Sequence, residues 1–161
     1  MKVVFLDFDG VLNSTAYDKV KARQDPSSEL EPLSIEWWAE GLDPVAVERL
    51  NGLLKRTGAG VVVSSSWRLD TYKGWLQRVL EMRGFKGKVI GTTWRFVGYS
   101  RNYEIKRWLE LTRQGCAVNR FVVIDDNVGA NIPGHFVHTD FSVGLTDRDV
   151  EKAVAILGEI V

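Results

Sequence analysis

The sequence predicts an α/β fold: a three-layer, doubly wound (Rossmann-like) parallel sheet of about five strands. Three observations predict it. Short apolar runs rich in Val, Ile and Phe recur along the chain. Segments of helical period lie between them, the alternation expected of a parallel sheet covered by helices on both faces. The length, 161 residues, is that of one ordinary domain, enough to bury roughly 70% of the surface an unfolded chain would expose.

The apolar runs are Val3 to Asp7, Val61 to Ser64, Lys88 to Gly91, Phe121 to Asp125 and a shorter one at His135 to Val137. Pro44 to Arg56 reads as a helix. Asp43 is placed to cap it, Pro44 suits its first position, Val47, Leu50 and Leu54 share one side, and Gly58 ends it. Thr71 to Met82 and Asn102 to Thr112 have the same character. The last helix starts near Thr146, which with Asp149 resembles a capping box, and carries Val150, Val154 and Leu157. The segment 13–42 breaks this rhythm. It is polar up to Pro32, contains Pro26-Ser27-Ser28, and then presents Ile35, Trp37 and Trp38 before Gly41. It reads as an insertion or flap within one domain spanning 1–161, since no repeat or linker divides the chain.

Hydrophobic residues at 45% and charged residues at 26% form the usual globular mixture, which argues against disorder or a membrane span. Lys plus Arg equals Asp plus Glu at 21 each, so overall charge gives no support to a general nucleic-acid binder and leaves only local patches open. The start Met-Lys-Val-Val-Phe-Leu is interrupted by Asp7, too early for a secretory core; a cytoplasmic protein is expected. Cys116 is the single cysteine, which excludes an internal disulfide and a thiolate metal cluster.

The chemistry-bearing feature is the exit of the first strand, Leu6-Asp7-Phe8-Asp9-Gly10-Val11-Leu12-Asn13. Two aspartates spaced by two fall on one side of an extended chain, and Gly10 permits a sharp turn that leaves them at the rim. Carboxylates closing an apolar strand are costly unless paired, hydrogen-bonded or bound to metal. In an open parallel sheet the carboxyl ends of the strands are where ligands bind.

Asp7-Phe8-Asp9-Gly10-Val11-Leu12 resembles the first motif of the haloacid dehalogenase superfamily. The resemblance implies that Asp7 attacks phosphorus to form an aspartyl-phosphate. It also implies that Asp9 protonates the leaving oxygen and then activates the water that hydrolyses the intermediate. The superfamily's dehalogenases and cation-pumping ATPases lack an aspartate at the position of Asp9, so its presence favours phosphatase or phosphotransferase chemistry.

A phosphate oxyanion facing Asp7 would be repelled by roughly 4 kcal/mol per charge pair at about 4 Å and an effective dielectric of about 20, so compensating donors and cations are required. The resemblance implies where they lie. A Ser or Thr ending the second strand binds phosphate in the family; Ser64 follows the apolar run directly and Ser65 is the alternative. The family's cation at a helix start corresponds to Arg101, with Lys106 the alternative one turn on. Asp125-Asp126 after the fourth strand resembles the acidic metal site. It implies Mg2+ held by Asp7, the Asp9 backbone carbonyl and Asp125, with Asp126 acting through a water. With only His135 and His138, a zinc site is a poor alternative, and both histidines are expected to be structural or merely near the site.

Superfamily members that act on small metabolites often carry a sizeable cap, and little room for one exists here, so a minimal or absent cap is expected. An open site suits a bulky substrate such as a nucleic-acid end or a phosphoprotein, or requires oligomer contacts for closure. Asn13, Trp67, Arg68, Trp94 and Arg95 are the candidate substrate contacts, since aromatic and guanidinium groups together stack bases and hold phosphate. Ser64-Ser65-Ser66-Trp67-Arg68, the run Arg101-x-x-Glu104-Ile105-x-x-Trp108-Leu109 and Gly144-Leu145-Thr146 also resemble the small phosphatase-like domains that accompany RNA-repair enzymes, a resemblance that implies removal of a terminal phosphate from a nucleic acid or nucleotide. The competing readings are a small-metabolite phosphatase or phosphotransferase and a noncatalytic phosphate-binding module. No membrane and no particular protein partner is implied.

Overall fold

The computed structural model describes residues 1–24, 30–112 and 117–160; Pro26-Ser27-Ser28 and Cys116 lie outside them. Five strands, β1 (Lys2–Leu6), β2 (Gly60–Val63), β3 (Val89–Thr92), β4 (Arg120–Asp125) and β5 (Phe136–His138), form one all-parallel sheet in the order β3-β2-β1-β4-β5. The order reverses at β1, where the chain has built outward through β2 and β3 and returns to add β4 and β5 on the other side. That makes the crevice between β1 and β4 the topological switch point.

Among the described residues there are six helices: α1 (Thr15–Gln24), α2 (Ile35–Glu40), α3 (Pro44–Thr57), α4 (Lys73–Met82), α5 (Arg101–Thr112) and α6 (Asp147–Leu157). Alternation along β1 sorts the core into two. Val4 and Leu6 face the side packed by Leu50 of α3, Leu80 of α4 and Val154 of α6, and Val3 and Phe5 face Ile105 and Trp108 of α5. The sheet is therefore a middle layer between helices. The central residues of its inner strands, Val3 to Leu6, Val61 to Val63 and Val122 to Ile124, are apolar and buried because both faces are covered.

Where the sequence carried explicit end signals, the ends are realised. Asp43 accepts from the Val45 amide at 2.8 Å, Pro44 opens α3, and Gly58 closes it at φ 68°. Thr146 and Asp149 form a reciprocal capping box on α6. Elsewhere the boundaries shift by a residue or two: β3 and β5 each begin one residue later than the apolar runs, and α4 starts at Lys73 rather than Thr71. The segment 13–42 contains two helices that periodicity did not announce. α1 has no buried residue, so it lacks an apolar stripe. α2 is capped by Ser34 and sets Trp38 against Trp75 of α4, with ring centroids 6.1 Å apart.

Candidate active site

The strand register brings the acidic residues together. Leu6 lies opposite Val63 on β2 and Ile124 on β4, so Asp7, Ser64 and Asp125, each one residue further on, meet at one edge of the sheet. The ladder continues past the strand end: the Asp7 amide donates to the Ile124 carbonyl at 3.0 Å and the Ser64 amide to the Leu6 carbonyl at 2.9 Å. Gly10 then turns the chain at φ 72°, and its bare Cα is what admits Asp126, since a Cβ there would sit 2.7 Å from Asp126 Cγ. The Gly10 carbonyl is held by the Thr139 hydroxyl at 2.9 Å.

Asp7, Asp125 and Asp126 each offer a carboxylate oxygen, and these atoms lie within 4.8 Å of one another. Asp7 is nearly buried and Asp125 fully so. At that spacing each charged pair repels by at least about 3 kcal/mol even at an effective dielectric of about 20. Arg101, at the first turn of α5, offsets part of this. Its Nη1 reaches Asp7 Oδ2 at 2.8 Å and Asp125 Oδ2 at 3.0 Å. Burial works against the Arg101 charge, but the two aspartates outweigh it and raise its pKa. The relief is incomplete. Burial and the neighbouring Asp7 charge push the Asp125 carboxyl up to about 6, against the pull of Arg101, and burial followed by Asp7 raises Asp126 as well.

This donor set fits a hard divalent cation: three carboxylates from two adjacent strand ends, too close to one another for one guanidinium to neutralise. Histidine is absent from the cluster. His135 stacks on Phe121 at 4.0 Å with Nδ1 3.0 Å from the Phe121 carbonyl, and His138 Nε2 lies 2.7 Å from the Asp126 carbonyl.

Asp9 makes its side-chain hydrogen bonds outside the acidic cluster. Its carboxylate accepts from Asn13 Nδ2 at 2.8 Å and from the Trp67 indole nitrogen at 3.2 and 3.1 Å to its two oxygens. Asn13 is itself fixed, because its carbonyl oxygen accepts from the Gly10 amide at 2.9 Å. Asp7 Oδ1 accepts from the Phe8 amide at 2.8 Å. The two strand-end aspartates thus have separate and complementary surroundings, one cationic and one built of neutral N–H donors.

Ser64 and Ser65 differ in what their hydroxyls do. Ser65 Oγ accepts from the Trp67 amide at 3.3 Å, capping the short 3-10 turn Ser66–Arg68. Ser64 Oγ is buried with no hydrogen-bond partner among the described residues. Buried hydroxyls are normally satisfied, so an unpartnered one at a strand-end rim is a group waiting for an acceptor. Lys106 is exposed on α5 and forms no ion pair with Asp7 or Asp125, in contrast to Arg101.

Arg68 departs from the expectation of substrate contact. Its side chain is 4% exposed, pairs with Glu104 at 2.6 Å, and donates to the carbonyls of Thr93, Ser64 and Ser65 at 2.9, 2.9 and 2.6 Å. All three guanidinium nitrogens are therefore taken by protein acceptors. Burial lowers the Arg68 pKa, and the Glu104 charge opposes that shift. Glu104 also accepts from the Phe96 amide at 3.0 Å, so this pair ties the β2 exit, the loop after β3 and the start of α5 into one unit. The sequence carries little sign of this role for Glu104 beyond its place three residues after Arg101. Trp94 and Arg95 lie exposed on the loop between β3 and α5.

A cavity of about 680 Å³ opens beside Asp9, walled by Trp37, Trp38, Trp67 and Trp75. α1 and α2 supply one side of it through Asp18, Lys21, Trp37 and Trp38. No helix among the described residues is long and apolar enough to cross a membrane.

Residues 3–150 match the family described as the HAD domain in Swiss Army Knife RNA repair proteins. No curated protein matches, and neither does any solved structure.

Proposed function

The chain belongs to the family of HAD domains in Swiss Army Knife RNA repair proteins, and from that premise we propose that it is a Mg2+-dependent phosphomonoester hydrolase acting on nucleotide or nucleic-acid terminal phosphates. The observation that carries this reading is the convergence of Asp7, Asp125 and Asp126 around the Arg101 guanidinium at the switch point of the sheet.

In this reading a carboxylate oxygen of Asp7 attacks phosphorus, a new P–O bond forms, and the bond to the leaving oxygen breaks. Asp9, protonated, delivers its proton to that oxygen. The resulting Asp9 carboxylate then takes a proton from a water that attacks the aspartyl-phosphate, the acyl phosphate bond breaks, and inorganic phosphate leaves with Asp7 restored. Arg101 and the Ser64 hydroxyl hold the phosphoryl oxygens. Asp7, Asp125 and Asp126 would hold Mg2+, which supplies charge neutralisation between phosphate and nucleophile. The divided surroundings of the two aspartates support this assignment, because a nucleophile needs a cationic neighbour and an acid/base needs an orienting one. α1 and α2 serve in place of a cap, walling one side of the site through Asp18, Lys21, Trp37 and Trp38.

The test is hydrolysis of an aryl phosphate by wild type and Asp7→Asn, with and without Mg2+, followed by 3′-phosphorylated oligonucleotides, nucleotides and sugar phosphates. Expected are Mg2+-dependent turnover, its loss in Asp7→Asn, an acid-stable phosphoenzyme absent from that variant, and preference for nucleotide-type substrates. Equal or higher rates on sugar phosphates would sink the substrate assignment, and wild-type rates in Asp7→Asn would sink the nucleophile.

A further inference from the structure

We propose that the indole-walled cavity beside Asp9 is a nucleoside subsite, which receives the base and ribose of the leaving group. The proposal rests on the phosphohydrolase reading for the words "leaving group", and on the cavity itself for the nucleoside. The general acid must stand on the side from which the leaving oxygen departs, so whatever space adjoins Asp9 is the space into which the remainder of the substrate projects. That space is the cavity, of which Asp9 is a lining residue.

Its walls state what it takes. Four indoles surround it: Trp38 packs edge-on against Trp37, Trp67 and Trp75 at centroid distances of 5.2, 4.5 and 6.1 Å. Such a cluster braces each ring and leaves the cavity-facing surfaces rigid, the condition under which stacking a flat ring costs little ordering entropy. At about 680 Å³ the cavity lies within the range of pockets that enclose ligands of nucleotide size.

Charge narrows the ligand further. The carboxylates of Asp9, Asp18 and Asp70 line the cavity against one cation, Lys21, whose ammonium is already 3.6 Å from Glu40. An acid excess disfavours a second phosphate inside the cavity and offers acceptors for hydroxyl and amino protons. A neutral nucleoside meets both conditions, with a flat base for the indoles and ribose and base-edge donors for the carboxylates. The side chain of a phosphotyrosine presents a flat ring but no hydrogen-bond donor for Asp18 or Asp70.

The binding test needs no turnover. Calorimetric titration of adenosine into the Mg2+-free protein should give saturable binding, while ribose alone gives none. Trp37→Ala, at a position 39% exposed and so tolerant of truncation, should weaken adenosine roughly tenfold, and Trp38→Leu should do the same. In turnover assays the KM for adenosine monophosphate should rise roughly tenfold more than that for glycerol phosphate in both variants. Absence of adenosine binding, undiminished binding in both variants, or stronger competition by a phosphotyrosine peptide than by adenosine monophosphate would each overturn the subsite. The two readings fail separately. Adenosine binding without turnover of any phosphate ester leaves the nucleoside site standing and removes the phosphohydrolase, whereas aryl phosphate turnover without adenosine binding does the reverse.

Discussion

The Trp67 indole nitrogen donates to both carboxylate oxygens of Asp9, across 58 residues of sequence, and Phe8 and Trp38 hold the Trp67 ring edge-on at centroid distances of 5.2 and 4.5 Å. One side chain therefore both aims the proposed acid/base and forms a wall of the adjoining cavity. Trp67→Phe keeps an aromatic ring and removes the N–H. Hydrogen bonds to charged groups contribute about 1.5–3 kcal/mol, so kcat for an aryl phosphate should fall by roughly ten- to a hundredfold. The effect should sit mainly in kcat, because the missing donor touches Asp9 and not the phosphate. An unchanged kcat would remove Trp67 from the acid/base assembly.

The buried pair Arg68–Glu104 gives a stability prediction. Removing one member of such a pair leaves a desolvated charge and costs about 3–5 kcal/mol. Arg68→Met should be the more damaging single change, since it also abandons the carbonyls of Ser64, Ser65 and Thr93. Glu104→Gln retains an acceptor for the Phe96 amide and loses only the charge. Urea denaturation should place Glu104→Gln between wild type and Arg68→Met. The double variant should be less destabilised than the sum of its parts, because neither charge is left alone. Additive losses would show that the two side chains act independently.

The sheet and the acidic edge were legible because the signals for them are local and short-ranged. Each buried strand declares itself by an apolar run, α3 by Asp43, Pro44 and Gly58, and α6 by Thr146 and Asp149. Asp7 and Asp125 stand at strand ends, where a parallel fold brings carboxyl termini together without further information. Arg68 was not legible in this way. A solvent-facing and an inward-facing arginine look alike in Ser66-Trp67-Arg68, and its partner Glu104 is 36 residues distant. α1 was silent for another reason: with no buried residue it carries no apolar periodicity, and it is held by polar contacts instead, the Tyr17 hydroxyl donating to the Glu40 carbonyl at 3.1 Å and Lys21 pairing with Glu40 at 3.6 Å. The Trp67–Asp9 contact combines both difficulties, since a tryptophan in a polar loop reads equally as packing or as substrate contact.

Gly10 marks where backbone conformation and metal site are linked. Gly10→Ala places a side chain in the left-handed region, at about 1 kcal/mol, and drives its Cβ to 2.7 Å from Asp126 Cγ. Asp126 must swing away or the turn must open. The expected result is a modest fall in thermal stability together with a loss of Mg2+ affinity of tenfold or more, read by calorimetry on the purified variant. A variant that loses stability alone, with wild-type Mg2+ affinity, would show that Asp126 takes no part in holding the ion.

Arg101 and a divalent cation draw on the same carboxylates, and this makes the guanidinium testable without any substrate. In Arg101→Ala the charges of Asp7 and Asp125, now without the 2.8 and 3.0 Å contacts, repel one another in a buried setting. The Mg2+-free variant should therefore melt below the wild type at neutral pH. Adding Mg2+ supplies the missing positive charge to the variant and only supplements it in the wild type, so the rise in Tm at saturating Mg2+ should be larger in Arg101→Ala. Ca2+, which accepts the same oxygen ligands, should reproduce the effect, and an equal concentration of Na+ should not. An equal or smaller Mg2+-induced rise in the variant would mean that the ion does not bind at the carboxylates bridged by Arg101, and the cation site would have to be sought elsewhere.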